Sequence, residues 1–153
     1  MTLFSLPWIA FLLAPLGAVG FLLALYFVLV TYGYARPDSR WLPQVCRMDE
    51  ATCARIIHLP EARVLGPPNA LFGLGYYAAL VAVGLNPGLL GQPLVLGALL
   101  LAGLAAAAMS VYLAWALLRR LRVVCVLCFA AHGINWLALA VLLLIAAGQT
   151  GTF

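Results

Sequence analysis

The chain has 153 residues, 67% of them hydrophobic and only 8% charged, with a formal net charge of +4. A soluble domain of this length cannot be built with so little charge, because its surface would be one apolar patch; the composition implies an integral membrane protein. All eight basic residues are arginines that flank hydrophobic spans or mix with acids in one loop, which fits membrane orientation better than nucleic-acid binding.

No Asp, Glu, Lys or Arg precedes Arg36, and the apolar run there is far longer than a signal-peptide core. It predicts a retained first transmembrane helix over about 8–32, with Tyr26, Tyr32 and Tyr34 at the membrane interface. Pro15, Gly17 and Gly20 predict a bend or a close helix contact within it. Residues 35–68 form the one sizeable polar segment, with five arginines, all four acids, His58, Cys46 and Cys53. Asp49 can cap a short helix through about Ile57, which Pro60 ends. In a continuous helix Cys46 and Cys53 would stand roughly 10 Å apart along the axis. A disulfide allows a Cα separation of at most about 7 Å, so a bond between them requires the chain to turn back before Asp49.

Gly66-Pro67-Pro68 closes the loop, and Asn69 opens a second helix over about 69–85. The uncharged run 64–118 is too long for one spanning helix and right for two, at about 20 residues each. Breakers from Asn86 to Pro93 separate the second helix from a third over about 94–118. Residues 119–122 make a tight arginine-rich connection, and a fourth helix runs over about 123–147. The expected architecture is a single all-α membrane domain, 1–153, a four-transmembrane-helix bundle with one larger polar loop between helices 1 and 2. Threading the spans puts that loop and the start of the fourth helix on the same side of the membrane.

Cys125-Val126-Leu127-Cys128 therefore faces Cys46 and Cys53 across one interface. Two cysteine pairs on one side suggest a relay of thiol–disulfide exchange, each step an attack by a thiolate through a mixed disulfide. Cys125 falls in the first turn of its helix, where the helix dipole and Arg119, Arg120 and Arg122 favour a thiolate. Cys128 lies about 4.5 Å deeper along the axis, so the shallow cysteine meets the loop and the deeper one meets a molecule dissolved in the bilayer. His132 and Asn135 share the Cys128 face of the helix. Polar groups inside a membrane helix are costly, so they either bind a ligand or tie helices together. Asn69 is either an inward-facing ligand group or a helix cap. A Cys-x-x-Cys half-site could also hold zinc with two further cysteines, but the Cys46/Cys53 spacing is unusual for one.

Three stretches carry a family resemblance: Arg63-Val64-Leu65-Gly66-Pro67-Pro68-Asn69-Ala70-Leu71-Phe72-Gly73, Ser110-Val111-Tyr112-Leu113-Ala114-Trp115, and Cys125-Val126-Leu127-Cys128. With the loop pair Cys46 and Cys53, they make the chain resemble vitamin K epoxide reductases and their prokaryotic homologues. The resemblance implies a four-helix bundle around a quinone pocket, with Cys128 attacking the quinone and Cys125 exchanging with the loop. It implies that Cys46 and Cys53 pass electrons from a thioredoxin-like (DsbA-like) protein. The acceptor would be a membrane quinone of the menaquinone or ubiquinone type, with Asn69, Phe72, His132 and Asn135 at its binding site and no metal. Many bacterial members carry a fused thioredoxin-like domain; here the chain stops at Phe153, so a separate partner is expected. Where many members have a serine before the second helix, this chain has His58-Leu59. The competing readings are a DsbB-type quinone reductase of different ancestry, whose Cys-x-x-Cys lies early in the chain, and a non-enzymatic, cysteine-based metal-binding membrane protein.

Every arginine lies on the cysteine side of the threaded spans, so the positive-inside rule turns the redox loop toward the cytoplasm. The family resemblance implies the opposite, extracytoplasmic side. The charge asymmetry is the stronger of the two arguments from the residues.

Overall fold

In the computed structural model, residues 6–36, 60–63, 65–122 and 124–150 are described, and those residues contain helices and turns but no strand. Helix α1 (Leu6–Phe11) and helix α2 (Leu13–Thr31) are separated by a single turn residue, Leu12. The cause is Pro15, which has no N–H to offer the Phe11 carbonyl. The chain tightens instead, with Leu12 N–H donating to the Ile9 carbonyl at 3.1 Å. A short 3-10 turn, Pro60–Arg63, leads through Gly66-Pro67-Pro68 to α3 (Asn69–Leu85). A second 3-10 turn, Pro87–Gly91, connects to α4 (Pro93–Trp115). A π-helical turn, Ala116–Leu121, then ends in Arg122, and α5 occupies Val126–Thr150.

The corner between α4 and α5 differs from the sequence expectation. The third helical stretch continues to Leu121, and the last helix starts at Val126 instead of about 123. Arg122 adopts a left-handed conformation (φ 52°), which no helix can continue through without strain. Its N–H donates back to the Leu117 carbonyl and closes the wide π turn.

Three helical stretches are long and apolar enough to cross a membrane: Trp8–Thr31, Pro93–Leu121 and Val126–Gln149. Helix α3 is apolar but has 17 residues, about 26 Å at 1.5 Å per residue, against a hydrocarbon core of about 30 Å. By length and composition, then, three of the four expected spans qualify and α3 falls just short.

Helix α2 packs most extensively on α3, and α4 on α5. The α2–α3 contact is close because glycines line it. A Cβ on Gly17 would stand 2.8 Å from the Tyr77 carbonyl oxygen and 2.9 Å from the Val81 nitrogen, and one on Gly84 would strike the Ala14 backbone. The core between the helices is built on Leu13, Leu80, Ala138, Leu142 and Ile145, all essentially inaccessible. At one end of the bundle, Glu61 pairs with Arg120 at 2.8 Å, which holds the Pro60–Arg63 turn against the α4–α5 corner. At the other, Gly84 lies against Ala14, and Gln149 Nε2 donates to the Leu90 carbonyl at 2.9 Å.

Candidate functional site

An apolar cavity of about 450 Å³ opens between the helices toward the Glu61–Arg120 end. That is within the range of small-molecule sites, roughly 300–1,000 Å³. Helix α2 contributes Ala24, Phe27 and Thr31 to its wall, α3 contributes Asn69, Phe72, Tyr76 and Tyr77, and α4 contributes Ala102, Ala105, Ala106, Met109 and Ser110. Helix α5 contributes Cys128, Ala131, His132 and Asn135. The small residues of α4, an alanine run with no other obvious purpose in the sequence, leave the space.

Cys125 lies just before α5 and serves as its N-cap. Its carbonyl accepts the Phe129 N–H at 3.0 Å, and its sulfur accepts the Cys128 N–H at 3.4 Å. A sulfur in this position takes the place of the usual serine or aspartate oxygen, and the helix N-terminus favours negative charge on it. Cys125 is 3% exposed and belongs with Leu127 to a small buried cluster against which Leu23, Tyr26 and Phe27 pack. Cys128, one turn on, is only half-buried and lines the cavity. Cys125 is thus the more buried side chain of the two, while Cys128 stands one turn further along the helix. The later helix start moves Cys125 out of the first turn to the cap.

Asn69 reaches the cavity from the first turn of α3, with Nδ2 donating to the Glu61 carbonyl at 3.0 Å. It is half-buried and makes no side-chain cap bond to its own helix. Phe72 is 50% exposed and also lines the cavity, which places it at the opening. His132 packs edge-on against Phe129, and its Nε2 is buried with no hydrogen-bond partner among the described residues. Asn135 has both ends of its amide engaged: Oδ1 accepts from the Tyr77 hydroxyl at 2.7 Å and Nδ2 donates to Ser110 Oγ at 2.9 Å. Ser110, 2% exposed, donates a hydrogen bond from its own hydroxyl to the Ala106 carbonyl at 2.8 Å. This chain of bonds links α3, α5 and α4 and uses one of the two Nδ2 hydrogens and one of the two Oδ1 lone pairs of Asn135.

The structure therefore brings Cys128, His132, Asn135, Asn69 and Phe72 around one cavity, with Cys125 beside it. Cys46 and Cys53 lie outside the described residues. Sequence reasoning missed Tyr76, Tyr77 and Glu61. The two tyrosines carried a usable signal, since adjacent hydroxyls in an otherwise apolar helix require partners or a ligand. Among the described residues no group of three or more His, Cys, Asp or Glu side chains comes together as a metal site.

A family model described as the vitamin K epoxide reductase family matches residues 11–143. The chain belongs to the vitamin K epoxide reductase family. The match runs from the end of α1 to the later turns of α5 and so includes the whole cavity wall. No curated protein matches the chain. Membership in the vitamin K epoxide reductase family makes the chain an oxidoreductase, and its apolar helices make it a multi-pass membrane protein.

Proposed function

We propose that this protein oxidises the thiols of a thioredoxin-like (DsbA-like) partner and reduces a membrane quinone of the menaquinone or ubiquinone type, thereby driving disulfide formation. In this scheme the partner dithiol reduces a Cys46–Cys53 disulfide, and the resulting loop dithiol reduces a Cys125–Cys128 disulfide. The Cys125–Cys128 dithiol then gives two electrons and two protons to the quinone, which leaves as hydroquinone while the disulfide re-forms. Each exchange forms one mixed disulfide and breaks it by thiolate attack. The observation that carries this reading is Cys128 in the wall of an apolar cavity that also presents Asn69 and His132. A flat apolar ring with two carbonyl oxygens matches that wall, which offers much carbon and few polar groups. Cys128 is the sulfur that attacks the ring, Asn69 and His132 bind the oxygens, Phe72 covers the opening, and Asn135 ties α3, α4 and α5 together behind the site. Helix α3 completes a four-span domain over 1–153, and the redox loop faces the cytoplasm by its arginines.

The test is turnover of purified protein with a reduced thioredoxin-like donor and a quinone, followed by quinone absorbance. Wild type consumes quinone and donor thiol pairs one for one. Cys128→Ala loses at least about a hundredfold in rate, as expected for removal of a nucleophile. Undiminished turnover by Cys128→Ala would overturn the mechanism.

A further inference from the structure

Tyr76 has no role in the scheme above, yet it occupies the cavity wall between Asn69 and the alanine-rich helix α4. Its position is seven residues after Asn69, nearly two full turns, so both project from one face of α3. Its hydroxyl is buried with no hydrogen-bond partner among the described residues. The neighbouring Tyr77 hydroxyl, by contrast, is engaged by Asn135. A phenylalanine would fill the same space without leaving a donor away from water, and an unsatisfied buried hydroxyl is destabilising. On the facing helix the residue beside that hydroxyl is Gly103, where an added Cβ would stand 3.2 Å from the Tyr76 oxygen. The missing side chain at Gly103 leaves room for the hydroxyl on that side.

We propose that Tyr76 is an acceptor-binding residue, its hydroxyl donating a hydrogen bond to one carbonyl oxygen of the quinone at the α4 side of the cavity. The inference rests on the quinone reading and deepens it. The carbonyl supplies the partner that the hydroxyl lacks in the wall. As electrons reach the ring, negative charge grows on that oxygen, and a donor already in place stabilises it. Tyr76 gives no electron and surrenders no proton. Both electrons and both protons still come from the Cys125–Cys128 dithiol, and the products remain disulfide and hydroquinone. The hydroxyl therefore selects acceptors that carry a carbonyl oxygen.

The experiment uses the full-length protein with 2-methyl-1,4-naphthoquinone carrying 13C at its carbonyls. Difference infrared spectra read the carbonyl stretch, and steady-state kinetics read KM for the quinone and for the thiol donor separately. In wild type a carbonyl band lies below its free-quinone frequency. In Tyr76→Phe that band returns toward the free value and kcat/KM for the quinone falls about tenfold, the size of one lost hydrogen bond, while KM for the thiol donor is unchanged. Tyr77→Phe, whose hydroxyl is engaged elsewhere, leaves the band where it was. If wild type reduces the quinone in a Cys128-dependent way and Tyr76→Phe keeps both the band and the kinetics, the Tyr76 assignment falls and the quinone reading stands. If wild type neither shifts the carbonyl band nor reduces the quinone, both fall together.

Discussion

Cys125 and Cys128 are three residues apart, yet the fold gives them different surroundings. One caps a helix in the cluster against which Leu23, Tyr26 and Phe27 pack, and the other borders the cavity. Their spacing is visible in the sequence, but which sulfur is covered depends on where the helix begins, and that was set by Arg122 three residues earlier. Asn135 shows the same limit. From the sequence it shares a face with Cys128 and His132, which suits either a ligand group or a tie between helices. Only the packed structure reveals Tyr77 and Ser110 on its two ends. Asn135→Leu should therefore act mainly on stability. Interhelical hydrogen bonds in membranes contribute on average about 0.6 kcal/mol and up to about 1.7 kcal/mol, and a loss in that range is expected on unfolding in mixed micelles. Tyr77 retains the Ala131 carbonyl at 3.5 Å and Ser110 retains Ala106, so neither hydroxyl is stranded. The quinone KM should change by less than about threefold, since a buried contact made directly to the substrate costs tenfold or more when lost. A larger rise in KM with stability intact would make Asn135 a binding group instead.

At the scale of elements, uncharged runs and breakers locate the helices well, because apolar length and proline or glycine placement are local properties. What they do not locate is the mode of packing. Gly17 and Gly20 signal a close contact, and the structure supplies the other side of it in Tyr77 and Val81, with Gly84 against Ala14 completing the seam. The π turn at Ala116–Leu121 has no comparable signal, since alanine, leucine and arginine all continue an ordinary helix readily. The seam gives a direct comparison within α3. Gly84→Leu forces a side chain into the Ala14 backbone, where overpacking costs about 1–3 kcal/mol. At Gly75 an added Cβ meets nothing within 4 Å, so Gly75→Leu should change stability by no more than about 0.5 kcal/mol. Equal effects of the two on micelle unfolding would show that α2 and α3 do not depend on this close approach.

For the molecule as a whole, the number of spans and their direction are decided together. Helix α3 begins beside Glu61, at the end where Arg120 also lies, because Asn69 donates to the Glu61 carbonyl and Glu61 pairs with Arg120. Its last turn places Gly84 beside Ala14, and the turn that follows is tied through Leu90 to Gln149 near the end of α5. The 17-residue helix thus travels from the arginine end of the bundle to the opposite end, as its longer neighbours do. A helix slightly shorter than the bilayer is accommodated by local thinning at a cost of fractions of a kcal/mol per Å. A crossing by α3 puts the two chain ends on one side, whereas three crossings alone would put them on opposite sides. The arginines then set the direction. All eight precede α3 or lie between α4 and α5, and in the orientation proposed above the positive-inside rule draws that side to the cytoplasm. Compartment-specific reporters fused separately to the two ends check both points. The expected result is that both report the extracytoplasmic side. Opposite signals from the two ends would remove α3 as a span, and cytoplasmic signals from both would keep four spans but reverse the direction. In that last case the cysteine end would face the oxidising side of the membrane against the pull of its own arginines.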